Sequence, residues 1–207
     1  MPPIAQSPLI AMHRRLGARV ETRDGWLVAV KYADEPSSSG NALVDLAHRP
    51  TYEIAGPEVG QQLAELCGAD VPLRKVHSGD GWQAYRLTPA RSVVFGTIPS
   101  VPTGALDVPL LDVTGGWVSL ALIGRDAERL LNKVTAVDLR ERTIPAGGCC
   151  QGPIFGVNTL FGRFADRFEL HICGDSAEFL WDVLMDAGEE FGLKPAGADY
   201  AKMRLVV

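Results

Sequence analysis

Asp112-Val113-Thr114-Gly115-Gly116-Trp117-Val118-Ser119-Leu120-Ala121-Leu122-Ile123-Gly124-Arg125-Asp126-Ala127, continuing to Asp138-Leu139, is the stretch whose reading decides the fold. Val118, Leu120 and Leu122 alternate with Ser119, Ala121 and Ile123, a mostly apolar run that suits a strand covered on both faces. Gly124 ends the run. Beyond it Ala127, Leu130, Leu131 and Val134 fall at i, i+3, i+4 and i+7, the apolar face of a short helix. Asp126 and Glu128 in its first turn and Lys133 in its last complement the helix dipole.

The same pattern stands earlier in the chain. Tyr52-Glu53-Ile54-Ala55 is a short strand closed by Gly56, with Pro57 at the first helical position and Val59, Leu63 and Leu66 on one helical face. Gly56 precedes Asp70 by 14 residues, and Gly124 precedes Asp138 by the same 14. Asp45 and Asp112 stand before the two copies, and Arg91-Ser92-Val93-Val94-Phe95 recurs in kind as Arg167-Phe168-Glu169-Leu170-His171. Repetition of strand, helix and flanks predicts a duplicated α+β fold of split βαβ halves, about 43–96 and 110–173 within a single region 1–207. The Pro-containing segment at about 97–109 is the expected connector.

Outward from the repeat, residues 7–32 read as a helical entry followed by extended chain, and 34–41 as a polar loop. Pro145-Ala146-Gly147-Gly148 is a loop before an apolar strand running from Ile154 to Phe161. Residues 176–191 form the best helix. Asp175 and Glu178 stand at capping-box spacing, Leu180, Val183, Leu184, Ala187 and Phe191 make its face, and Gly192 closes it. The segment from Lys194 to Val207 is expected to turn back into a strand.

Composition narrows the function classes. A net charge of −5 argues against binding a nucleic-acid backbone. No apolar run approaches the ~20 residues of a membrane helix, and the N-terminus lacks the pattern of a secretory signal, so a cytoplasmic address is expected. The four cysteines include no CxxC pair and no metal-like spacing with the four histidines, so no metal is expected. Cys149-Cys150 reads either as a reactive thiol pair or as two small residues entering a strand; adjacent cysteines close a disulfide only under strain.

Several segments together resemble the aminomethyltransferase family, whose best-known member is the T-protein of the glycine cleavage system. They are Ser7-Pro8-Leu9, His13, Gly17-Ala18-Arg19, Gly25-Trp26, Ala42-Leu43-Val44-Asp45-Leu46, Ile54 with Gly56-Pro57, Phe168-Glu169-Leu170, Leu180-Trp181 and Leu193-Lys194-Pro195-Ala196-Gly197 through Arg204-Leu205. The second half, with Asp112-Val113-Thr114, Leu122-Ile123-Gly124-Arg125-Asp126-Ala127 and Asp138-Leu139, and the length of the chain are similar to the sarcosine oxidase gamma subunit. The resemblance implies a folate-binding-domain-like fold without the family's C-terminal β-barrel.

It also implies where chemistry would sit. The family's paired aspartates ahead of a Tyr-Arg strand correspond here to Asp80 alone, before Tyr85-Arg86, which makes Asp80 the catalytic candidate and leaves Gly79-Asp80-Gly81 equally readable as a plain turn. The family's Arg, Tyr-Thr-Gly-Glu loop and Gly-Phe-Glu strand correspond to Arg163-Phe164-Ala165-Asp166-Arg167-Phe168-Glu169, a shorter loop without the glutamate that would meet a pterin. Arg163, Asp166 and Glu169 are the cofactor-binding candidates, with Trp181 either a stacking surface or core. An Ala-Arg-Asp ahead of Arg-Leu-Glu is replaced by Tyr200-Ala201-Lys202 before Arg204-Leu205-Val206. Each lost charge-assisted hydrogen bond is worth about 1.5–3 kcal/mol. The resemblance with these losses implies an aminomethyltransferase-like protein of one-carbon metabolism with degenerate or weak transferase activity and weak tetrahydrofolate binding. The alternative is a non-catalytic subunit of a sarcosine-oxidase-like complex, with an oxidase or methyl-transfer protein as partner and neither nucleic acid nor membrane.

Overall fold

The computed structural model describes residues 3–98 and 110–204; most of the expected connector at 97–109, and residues 205–207, lie outside the described residues. The chain opens with β1 (Ala5–Gln6), α1 (Ile10–Arg15), β2 (Arg19–Arg23) and β3 (Trp26–Lys31). There follow β4 (Ala42–Asp45), β5 (Thr51–Ala55), α2 (Val59–Cys67), β6 (Val76–Gly79), β7 (Trp82–Thr88) and β8 (Arg91–Gly96). The remainder comprises β9 (Leu111–Asp112), β10 (Trp117–Ile123), α3 (Ala127–Val134), β11 (Gly148–Ile154), β12 (Val157–Arg163), β13 (Arg167–Cys173), α4 (Ala177–Gly188), β14 (Lys194–Ala196) and α5 (Ala198–Arg204).

Two sheets carry the same strand order. One runs β6-β7-β8-β5-β9 and the other β11-β12-β13-β10-β4-β14, so strand, helix and three further strands are laid down alike in each. The short edge strands are exchanged. β9, which precedes β10 in the chain, pairs with β5, whereas β4, which precedes β5, pairs with β10. Asp45 therefore lies opposite Leu120, and Asp112 opposite Tyr52. A third sheet, β1-β3-β2, completes the structure.

Gly56 and Gly124 end β5 and β10 with φ of 137° and 129°, a region that residues with a Cβ avoid. At Gly124 a Cβ would also fall 2.2 Å from Asn41 Oδ1. That oxygen accepts the Asp126 backbone N–H (3.2 Å), and the Asn41 amide donates to the Asp126 carboxylate (3.1 Å), so Asn41 holds the start of α3. Val59 and Leu63 of α2, and Ala127, Leu130 and Leu131 of α3, are buried as the periodicity requires, whereas Leu66, at the end of the α2 face, is only half-buried.

β10 is buried on both faces. Val118, Leu120 and Leu122 pack with Leu130, Leu131, Leu180 and Trp181, while Ala121 and Ile123 pack with Val44, Tyr200 and Ala201. Each such leucine contributes about 1.5–3 kcal/mol by leaving water.

Three local expectations change. The run from Ile154 to Phe161 is not one strand: Phe155 (φ 44°) and Gly156 (φ 86°) make a two-residue turn between β11 and β12, whose ends pair as Ile154 with Val157. Among the described residues of the C-terminal segment, Lys194–Ala196 alone form a strand; α5 follows because Ala198 and Ala201, three apart, bury against the sheets with Tyr200, while Asp199 in the first turn meets Arg23 at 2.7 Å. The capping box at Asp175 and Glu178 does not form, because a 3-10 turn over Gly174–Ser176 moves the cap to Ser176, whose hydroxyl donates to Asp175 (3.1 Å).

Candidate functional site

The space between the two sheets is filled by apolar side chains. Tyr85, Val93 and Phe95 from the first sheet meet Cys149 and Leu160 from the second, all buried. Tyr85 and Phe95 contact edge to face (centroids 5.4 Å apart), and Phe95 stacks on His171 (3.7 Å, 11°). Gly162 on β12 admits the Tyr85 ring: a Cβ there would stand 2.4 Å from the phenol oxygen. Cys149 and Cys150 lie within β11 as free thiols, and burial pushes them up to about 12 and about 11, which leaves the reactive reading without a thiolate near neutral pH.

Beside this apolar layer lies a buried charge cluster. Glu169 on β13 is fully buried. Its Oε1 accepts from Arg167 Nε (3.0 Å) and its Oε2 from Arg49 Nη1 (3.2 Å), which also reaches Gln83 Oε1 (3.3 Å). Burial alone would raise the Glu169 carboxyl, but Arg49 and then Arg167 outweigh it and hold the group below the usual carboxylate range. Two residues on, His171 shares that face; its Nδ1 bonds Ser119 Oγ (2.8 Å), and burial lowers it to about 3 against the pull of Glu169, so it is neutral. Its Nε2 and the Tyr85 hydroxyl are buried without a hydrogen-bond partner among the described residues.

The expected site residues distribute around this cluster rather than converge. Asp80 sits exposed in the turn joining β6 to β7 and lines a cavity of about 430 Å³ with Arg23, His48, Arg49, Gln83 and Lys202. Arg163 and Asp166 line a different cavity, of about 650 Å³, with Gly124, Arg167 and Arg204. Arg163 is committed: its Nη1 donates to Glu128 (2.7 Å) and to the Leu139 carbonyl (2.6 Å), and its guanidinium covers Phe168. Asp166 is bound to Arg167 (3.1 Å). Trp181 presents no face to either cavity. It is 1% exposed, in the core with Leu180 and Leu184, edge-on to His13 at 5.0 Å.

Sequence reasoning passed over Arg49 and Arg23, and noted Lys202 only where the family's Ala-Arg-Asp is replaced; the three come from separate segments and meet only in the fold. Arg49 carried one weak signal, a lone cation between the buried residues of β4 and β5. It also passed over a second buried network, in which Tyr32 Oη, His13 and Asp45 bond in series (2.6 and 3.0 Å). With all three side chains buried, this network fastens α1 to β4. Among the described residues no three His, Cys, Asp or Glu groups stand together as a metal set. Among the same residues no helix is long and apolar enough to cross a membrane.

The comparisons agree with this architecture. The aminomethyltransferase of Desulforamulus reducens is 25% identical over 95% of this chain, and that of Rubrobacter xylanophilus 28% identical over 89%. The chain spans 62% and 57% of those relatives, respectively. Among solved structures, the glycine cleavage system aminomethyltransferase T from Bartonella henselae superposes with a TM-score of 0.74 at 16% identity, over 98% of this chain and 62% of that one. A chain of the heterotetrameric sarcosine oxidase from Corynebacterium sp. U-96 superposes at 0.66 with 18% identity, over 89% of this chain and 95% of that one. The family model described as the GCVT N-terminal domain matches residues 90–205, more than half of the sequence, and the chain belongs to that aminomethyltransferase-type family.

Proposed function

We propose that this chain is an aminomethyltransferase-like folate-fold protein of one-carbon metabolism whose transferase centre is degenerate and whose working role is that of a scaffold. The observation that carries this reading is the dispersal of the candidate residues: Asp80 and Arg163 open onto different cavities, and Trp181 lies in the core. Tetrahydrofolate finds few anchors among the residues present. Its pterin edge needs a carboxylate that it can reach, and Glu169 is fully buried between Arg167 and Arg49. Its acidic tail needs a cation; Arg163 is held by Glu128, which leaves Lys202 beside Asp80. Asp80, exposed in its turn, keeps the place of the catalytic candidate.

Calorimetric titration with tetrahydrofolate tests the reading. The expected affinity is no better than about 0.1–1 mM, the equivalent of −4 to −5 kcal/mol. Micromolar binding abolished by Asp80→Ala refutes it.

The alternative, a non-catalytic subunit of a sarcosine-oxidase-like complex, draws support from the fold, which a chain of a heterotetrameric sarcosine oxidase shares over 89% of this chain. Genes for oxidase subunits beside this one, and a stable complex on co-expression with them, are what that reading expects; an isolated gene and a chain that purifies alone oppose it. The acidic net charge and a cytoplasmic setting suit either reading.

A further inference from the structure

The two phenylalanines among the exposed large hydrophobic side chains of the described residues, Phe155 (64% exposed) and Phe179 (52%), line one surface cavity of about 430 Å³. Val183 and Val134 form its floor. Phe155 reaches it at a conformational cost. It occupies the first position of the β11–β12 turn with φ 44°, where asparagine or glycine is the favoured residue and an aromatic is strained. An exposed aromatic held in a strained backbone gains nothing from the folded chain by itself.

The charge around the patch is one-signed along α4. Glu178, Asp182 and Asp186 recur at i, i+4 and i+8 on the stripe beside Phe179 and Val183; all three are exposed, and none takes an ion pair among the described residues. Like charges at this spacing weaken a helix, and no basic residue in the last turn relieves Asp186. The nearby Lys133 is committed to Glu190 and to the Ala187 carbonyl. A second copy of this chain, docked by the same patch, would set these carboxylates against themselves.

We infer that the Phe155–Phe179 patch is a docking surface for a partner protein that presents apolar side chains flanked by lysine or arginine. This deepens the scaffold reading by giving the scaffold its contact face, and the folate titration tests that reading separately. The apolar centre supplies attachment and the acidic stripe selects against acidic or self-identical surfaces.

The test is fluorescence anisotropy of the whole chain with a labelled 14-residue amphipathic helix of leucine and lysine, against its leucine–glutamate counterpart. Saturable binding of the basic peptide alone is expected, weakened at least tenfold by Phe155→Asn, by Phe179→Ser and by the pair Asp182→Lys with Asp186→Lys. Phe155→Asn is expected to raise the thermal unfolding midpoint, since asparagine accepts the left-handed region, so its loss of binding is not a loss of folding. The inference is overturned by absence of binding, by equal binding of both peptides or of all variants, by a lower midpoint in Phe155→Asn, or by a dimer in sedimentation equilibrium that Phe155→Asn dissolves.

Discussion

Protonation of His171 should make this protein lose stability in mild acid, by an amount set by its surroundings. The imidazole is fully buried, stacked on Phe95 at 3.7 Å and bonded to Ser119, and burial lowers it to about 3 from an ordinary 6.5. A group whose folded value lies below its unfolded value binds fewer protons when folded, so stability falls as pH drops below 6.5 and keeps falling until about 3. From pH 7 to pH 5 the unfolded histidine takes up about 0.7 of a proton and the folded one almost none, which integrates to about 2 kcal/mol lost. His48, also lowered by burial, adds in the same direction, whereas the depressed carboxylates Asp45 and Glu169 titrate below this window. The assay is urea unfolding at pH 7 and pH 5 for the natural sequence and for His171→Asn, which keeps a polar group toward Ser119. The pH-dependent loss should shrink by about 2 kcal/mol in the variant. Equal slopes in the two proteins would refute the assignment of a buried, neutral His171.

Glu169→Gln removes the carboxylate between two guanidiniums, and because Arg167 is 6% exposed the cost should be about 3 kcal/mol at pH 7, read by the same unfolding assay. Gly162→Ala drives a Cβ into the Tyr85 ring and should cost about 1–3 kcal/mol; Tyr85→Phe, which removes the nearest atom at 2.4 Å, should recover part of that loss in the double variant. Gly124→Ala should destabilise more than Gly56→Ala in thermal melts, because both have positive φ but only Gly124 is crowded, by Asn41 at 2.2 Å. Equal losses would place the whole effect in the backbone angle.

Local patterns carried much of the architecture. The apolar run 118–123, the glycine that ends it and the helical face of Ala127, Leu130 and Leu131 are all readable in the chain, because strand and helix periods arise from residues a few positions apart. The resemblance to the aminomethyltransferase family also rested on ordered local blocks, and so did the shortened loop between Arg163 and Glu169. The turn at Phe155-Gly156 was missed for a related reason: an aromatic is an improbable occupant of a left-handed position, so propensity continued the strand through it.

Tertiary structure alone decided the rest. Which sheet receives β4 and which receives β9 depends on pairing between segments far apart in sequence, and nothing near Asp45 or Asp112 encodes the exchange. The fate of the candidate site was settled in the same way. Arg49, Arg167 and Glu169 are unremarkable charges in the sequence, and only the fold brings them together around a fully buried carboxylate, with Tyr85 pressed against Gly162. A sequence records which groups are present; whether a carboxylate's lone pairs are free or already taken is a matter of distances of about 3 Å between residues more than a hundred positions apart, as from Arg49 to Glu169, and those distances exist only once the chain has folded.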